Sequence, residues 1–305
     1  MLLVVVGFLL LLAVAVTPKR SPAKAVTAGN PGVARGATAG AGPKPPATVN
    51  GAVTRPQAGG NCGLSLQGQM SDPRGPRTTV PAPVGQCTVL EVGDSLGNDL
   101  GWGLSRHIAP TAGFSLIQLD KSNTGLSNSS YYDWPAQLPS DLDQYHPQLV
   151  IICLGGNDEQ SMDVNGSQVK FQTPEWKSAY VARVEQMVSE ATASGAYVLW
   201  VGLPIMQQPS YSQGILALNS LYQQGVAAES NATFVSTWSL LSNLQDQYQS
   251  SATVNGSKAT LRDPDGIHFS YAGEDVVATY VIRQMATIYH AQLVPTDPSV
   301  VTSWS

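Results

Sequence analysis

Three short strings hold most of the chemistry in this chain: Gly93-Asp94-Ser95-Leu96, Gly156-Asn157-Asp158 and Asp265-Gly266-Ile267-His268. Between them they offer a hydroxyl nucleophile, an amide donor and a carboxylate–imidazole pair. A serine hydroxyl is a weak nucleophile until a neighbouring base takes its proton, so the histidines decide whether Ser95 can react. Of the four histidines, only His268 has a carboxylate three residues before it with a glycine between. A turn of that spacing lets Asp265 orient the ring and stabilise the imidazolium that forms. His107, His146 and His290 have no such company and read as surface or internally satisfied residues. Asn157 completes the set, because an amide at the mouth of a strand can donate to a developing oxyanion, worth roughly 10²–10³ in rate. Taken singly, Ser95 could be only a helix N-cap and Asn157 only an Asx turn. Their joint occurrence with an Asp–His pair weighs against both.

The flanking elements must bring these strings together. Thr88 to Val92 is β-branched and apolar, Gly93-Asp94-Ser95 interrupts it, and Leu96, Leu100, Trp102, Leu104 and Ile108 follow at roughly helical spacing. Strand, tight turn and helix place the Ser95 hydroxyl at a strand's carboxyl end, where the N–H groups of the helix start point into the same space. Gln148 to Leu154 is a continuous apolar run, the pattern of a strand buried on both faces of a parallel sheet. Strands are expected near 88–93, 114–119, 148–154, 196–202 and 232–236, with helices near 96–108, 135–145, 174–192, 213–228 and 271–289. Such alternation predicts an α/β fold, a three-layer αβα sandwich on a five-stranded parallel sheet with the site at the strands' carboxyl ends. The helix after Thr173-Pro174 has its stripe at Trp176, Tyr180, Val184, Met187 and Ala191, read as core and not as a ligand box. Ser270 is the expected N-cap of the last helix.

Gly-Asp-Ser-Leu, then Gly-x-Asn-Asp, then Asp-x-x-His, in that order, resembles the SGNH hydrolases, also called GDSL esterases, over about residues 86–290. The resemblance implies a flavodoxin-like sheet, Ser95 as nucleophile, and Asp265 and His268 as its acid–base partners. It further implies an oxyanion hole made by the Ser95 N–H, the Gly125 N–H and the Asn157 side chain. Gly125 enters only in this way, through Lys121-Ser122-Asn123-Thr124-Gly125-Leu126, which follows the second strand and carries one glycine. Tyr132-Asp133-Trp134-Pro135 and Trp200-Val201-Gly202-Leu203-Pro204 are similar to a bacterial, envelope-associated branch. The activity implied is that of a serine esterase on acyl esters, short and O-acetyl-like, on an envelope or extracellular glycan, with no cofactor and no metal. Acyl transfer on the same fold and a non-catalytic envelope-binding module are the alternatives. A two-metal phosphoesterase would need several histidine ligands, and three of the four histidines here lack neighbouring ligands.

Of the 305 residues, 81–295 are read as the hydrolase domain, enough for a single α/β core, and 296–305 as a C-terminal tail. A net charge of −5 without a basic stripe excludes a nucleic-acid partner. Residues 1–20 are read as a signal peptide or membrane anchor: Leu2 to Val16 is an unbroken run of fifteen apolar residues, short for a span. Ala23-Lys24-Ala25 resembles a cleavage site, while Lys19 and Arg20 follow the run and no basic residue precedes it, so cleavage, an uncleaved anchor and a start placed too late all stay open. Residues 21–80 are read as a disordered spacer, since 28 of the 40 positions from 21 to 60 are Ala, Gly, Pro or Thr and cannot bury a core. The first two of these readings of the run put the catalytic domain outside the cytoplasm, although the charges flanking the run argue weakly against that orientation. Of three cysteines, Cys153 lies in a strand, whereas Cys62 and Cys87 flank a loop-like stretch and are expected to form a disulfide worth about 3 kcal/mol. Glu159, Gln160 and Asp163 could line a sugar-binding rim or be solvated loop positions.

Overall fold

A computed structural model describes residues 87–108, 113–291, 294–295 and 297–304. The segments expected as signal or anchor and as spacer, together with Cys62, lie outside the described residues. Cys87 is disulfide-bonded, and Cys153 is a free, buried thiol.

The chain begins with β1 (Cys87–Gly93), α1 (Ser95–His107), β2 (Phe114–Asp120), α2 (Trp134–Tyr145) and β3 (Leu149–Cys153). A small hairpin follows, β4 (Met162–Val164) with β5 (Ser167–Val169), then α3 (Pro174–Ala193), β6 (Tyr197–Val201), α4 (Pro209–Val226) and β7 (Ala232–Val235). The last elements are β8 (Ser251–Val254), β9 (Ser257–Thr260), α5 (Tyr271–Ile288) and β10 (Val301–Trp304). Five strands form the parallel sheet in the order β2-β1-β3-β6-β7. Helices α1 and α5 pack together on one face, and α2, α3 and α4 form the layer on the other. This is the three-layer α/β sandwich on a five-stranded parallel sheet that was expected.

Each element has a local cause. All five residues of β3 are buried, because a parallel strand covered by helices on both sides has no face left for water. The side chains of Asp94, Thr173 and Ser270 accept from the first-turn N–H groups of Leu96, Trp176 and Gly273, so α1, α3 and α5 start where the sequence supplies a capping oxygen. In α1, Leu96, Leu100 and Leu104 are sealed in the core, each contributing about 1.5–3 kcal/mol by its burial. Trp102, expected with them, is 55% exposed, because two residues beyond Leu100 is more than half a turn from the core face. Helix α4 begins at Pro209, four residues earlier than its apolar pattern suggested, since a proline at the first position needs no partner for its nitrogen.

The small strands were not legible in advance. Strands β8, β9 and β10 make a separate antiparallel sheet in the order β10-β8-β9, so the segment read as a C-terminal tail supplies a strand. Strand β9 leads directly into the segment that carries Asp265 and His268.

Register sets the position of the site. Gly93 at the end of β1 stands level with Asp120 of β2 and Cys153 of β3, so the three connections leave the sheet side by side. Because β1 lies between β2 and β3, its crevice with β3 is a topological switch point, the usual place for a ligand in an open α/β sheet.

Candidate active site

Ser95 is the first residue of α1 and half-buried. Its partner comes from 173 residues away: His268 Nε2 is 2.8 Å from Ser95 Oγ. On the other side of the ring, Nδ1 is 2.6 Å from Asp265 Oδ2. The other Asp265 oxygen accepts from the backbone N–H groups of Ile267 and His268 at 2.8 and 3.0 Å, which folds the turn around the carboxylate. Partial burial pushes Asp265 up, but the hydrogen bond from His268 and the two N–H groups outweigh it and hold the carboxyl at about 2. Gly266 is needed between them, since its φ is +70° and a Cβ there would stand 2.3 Å from the Gln207 Cβ.

Asp94 holds the Ser95 side together. It is fully buried, and besides capping α1 it accepts from the N–H groups of Gly155 and Gly156 at 2.9 and 2.7 Å. One carboxylate thereby ties the turn after β1 to the loop after β3. Burial raises its carboxyl to about 6, against the downward pull of the three N–H donors. From α4, the Tyr211 hydroxyl donates to the Gly156 carbonyl and fixes that loop from above.

Asn157 and Gly125 meet at the same edge. The Asn157 amide nitrogen donates to the Thr124 carbonyl at 2.9 Å, so the amide and the Gly125 N–H are neighbours. Asp158, fully buried, braces this loop: its oxygens accept from Leu126 N at 2.8 Å and from Ser127 N and Oγ at 2.8 and 2.6 Å. Tyr180 donates its hydroxyl to Asp158 at 2.6 Å and lies 3.0 Å from the Tyr222 hydroxyl. The α3 stripe is therefore core, as expected, with one hydroxyl serving the site from behind. Gly125 must lack a side chain, because a Cβ would stand 2.1 Å from Asp158 Oδ1.

The two halves are joined by helix contact. Gly103 lets α1 approach the backbone of α5 at Glu274, and Arg106 of α1 bonds Glu274 and Asp275 at 2.5 and 2.7 Å. Asp99, one turn after Ser95, accepts from Phe269 N at 2.9 Å and so holds the residue next to His268. Burial raises the Asp99 carboxyl to about 6.

All five residues expected at the site are thus brought to one sheet edge. Those missed are the bracing ones: Asp94 and Asp158 stood inside the quoted strings without a role, and Asp99 and Arg262 carried no local signal. Of the three positions considered for a sugar rim, Gln160 donates to the Asn157 carbonyl and Asp163 accepts from Gly166 N. Glu159 packs against Gly214 of α4. His107 is buried against α5, its Nε2 3.0 Å from Asp275 Oδ1. Among the described residues no three His, Cys, Asp or Glu side chains are grouped to hold a metal ion.

No curated protein matches this sequence. Among solved structures the chain is similar to TesA, at 22% identity over 65% of this chain and 97% of that one, with a TM-score of 0.45. It is similar to a catalytic mutant of Axe2, an acetylxylan esterase from Geobacillus stearothermophilus, at 18% identity over 66% and 95% of the two chains and a TM-score of 0.45. A GDSL-like lipase from Bacteroides thetaiotaomicron matches at 18% identity over 66% and 88%, with a TM-score of 0.47. Residues 88–284 match the family described as a protein of unknown function, DUF459, and the chain belongs to that family.

Proposed function

We propose that the protein is a serine esterase that hydrolyses short acyl esters through Ser95, His268 and Asp265. The observation that carries this reading is the unbroken line of contacts from Asp265 to His268 at 2.6 Å and from His268 to Ser95 at 2.8 Å. His268 Nε2 takes the proton as Ser95 Oγ attacks the ester carbonyl, and Asp265 keeps Nδ1 protonated and stabilises the imidazolium. The tetrahedral oxyanion is held by the Ser95 N–H, the Gly125 N–H and the Asn157 amide. Imidazolium returns the proton to the departing alkoxide, leaving the acyl group on Ser95. Water, deprotonated by the same ring, then releases the acid. Because the ring must be neutral to accept a proton, kcat/KM rises with pH on its acid limb.

The alcohol half is read as a sugar of an envelope or extracellular glycan. Support comes from the sequence of the first 80 residues, apolar run then spacer, and from a cleft of about 360 Å³ bordering the catalytic turn. Gln207, whose N–H donates to the Gly266 carbonyl at 3.1 Å, lines it with Gln213, Trp238, Asp246, Gln247 and Tyr248. Aromatic faces with amides and a carboxylate at their rim suit a ring that is apolar on its faces and hydroxylated at its edge.

A fluorophosphonate probe is expected to label Ser95 in the wild-type protein and not in Ser95→Ala, with loss of p-nitrophenyl acetate hydrolysis in the same variant. A Ser95→Ala protein hydrolysing the ester at the parent rate refutes the assignment.

A further inference from the structure

Arg262 is 1% exposed, and no other Lys or Arg among the described residues is so buried. Its Nη1 donates to the Ile205 carbonyl at 2.7 Å, and its Nη2 donates to the Ile267 carbonyl at 2.6 Å and the Gly266 carbonyl at 3.4 Å. Nη2 also lies 3.3 Å from Met206 Sδ, and the guanidinium sits 5.3 Å from the Tyr248 ring and 5.5 Å from the Phe269 ring. These acceptors are all neutral, and among the described residues no carboxylate forms an ion pair with it. Burial lowers its pKa to about 10, which leaves it charged near neutrality. A sealed cation without a paired anion is a costly arrangement that packing alone does not call for.

What the fork grips explains it. Gly266 and Ile267 are the two residues before His268, and Phe269, just after it, is held by Asp99 of α1. The base therefore sits between two anchors, one on the helix that begins with Ser95 and one on the loop after β6. We propose that Arg262 is a positioning residue for the Asp265–His268 pair: its planar fork joins the turn that carries them to the 205–206 loop. Lysine cannot replace it, because a single ammonium does not span carbonyls on two loops.

The inference rests on the esterase reading, and its test separates the two. The groups facing the ring and the guanidinium are Asp265 on the turn, Asp99 on α1, Tyr211 on α4 and Tyr248, with Asp263 and Glu274 acting on Asp99. None is changed in the variants Arg262→Gln and Arg262→Lys of the full chain. Displacing a reacting group by about 1 Å costs roughly 10²-fold, and Arg262 does not reach the substrate. Arg262→Gln is therefore expected to lose about 10²-fold in kcat on p-nitrophenyl acetate and to keep KM. Arg262→Lys keeps the charge but not the fork, so its kcat still falls while KM stays. A low-field proton resonance from the His268 Nδ1–H, visible in the wild type, is expected to broaden in both. Variants that fold and keep wild-type kcat and resonance overturn the proposal, as does a drop in Tm with neither altered. Should Arg262→Gln not fold, Arg262→Lys decides alone: wild-type kcat and resonance there overturn it. A wild type that neither hydrolyses the ester nor takes the fluorophosphonate removes the esterase reading, and the resonance in wild type against Arg262→Lys still judges Arg262.

Discussion

Asp94 and Asp265 stand on either side of the reacting pair, and their carboxyl groups respond in opposite directions. Asp94 is sealed under the start of α1 and is raised to about 6, while Asp265 sits in a turn with its side chain 46% exposed and is held at about 2. The Ser95 half of the candidate site is part of the sheet edge. The hydrogen bonds that shape it also hold β1 to β3, so its geometry cannot be lost without loss of stability. The His268 half is a surface turn fixed by a few bonds to α1 and to Arg262. Its geometry can fail while the fold survives.

That contrast can be broken at its centre. Ser95→Ala removes the shared target of both halves and is expected to lower kcat by about 10⁵- to 10⁶-fold, with the melting curve unchanged because a half-buried hydroxyl adds little to the core. Next comes the buried half. Asp94→Ala leaves the N–H groups of Leu96, Gly155 and Gly156 without an acceptor. At about 1–3 kcal/mol per orphaned group the loss is about 3 kcal/mol or more, near 6–12 °C in Tm for a domain of this size. Thermal denaturation checks it, and a Tm within 2 °C of wild type would show that Asp94 does not brace the edge.

Asp265→Asn tests the exposed half. An amide leaves Nδ1 unsupported in the right tautomer, and the expected loss is about 10²-fold in kcat, less than for a buried triad aspartate because water can replace part of the contact. Its Tm is expected to stay at the wild-type value. The smallest effect concerns Glu91 and Asp120, whose carboxyls face one another beneath α1 at Gly97. Burial and then Asp120 push Glu91 up, and burial raises Asp120 to about 6. Folded values of about 6 for Asp94, Asp99 and Asp120 exceed the ordinary 3.8. Each such group contributes stability that is complete below about 3.8 and lost as pH rises through 6. Asp265 has the opposite sign, its contribution being present above 3.8 and lost as pH falls toward 2. The Tm is therefore expected to be higher at pH 5 than at pH 7, and Glu91→Gln, which removes one raised carboxyl, to flatten that slope by a few degrees. A slope equal to wild type would free the Glu91–Asp120 pair from this account.

Much of this was legible because the signals were local. β3 announced itself by an apolar run, α3 by Thr173-Pro174 and its stripe, and the Asp265–His268 turn by a glycine between two polar residues. Trp102 misled because residue type was read without its angle on the helix. The β8–β9–β10 sheet was missed because its strands are only four residues each and polar on their outer faces. Arg262 and Asp99 had no signal at all, since a buried arginine and a helical aspartate look like solvated ones until the chain folds over them.

By itself the sequence determined which groups could react, in what order they occur, and that alternating strands and helices would place them at strand ends, because residue type and periodicity are properties of the chain alone. Only the tertiary structure decided that His268 meets Ser95 across 173 residues, that Asn157 stands beside Gly125, and that Asp94, Asp158 and Arg262 hold them there. The reason is that these pairings depend on sheet register, on the close approach of α1 to α5, and on which polar groups are left inside when water is excluded.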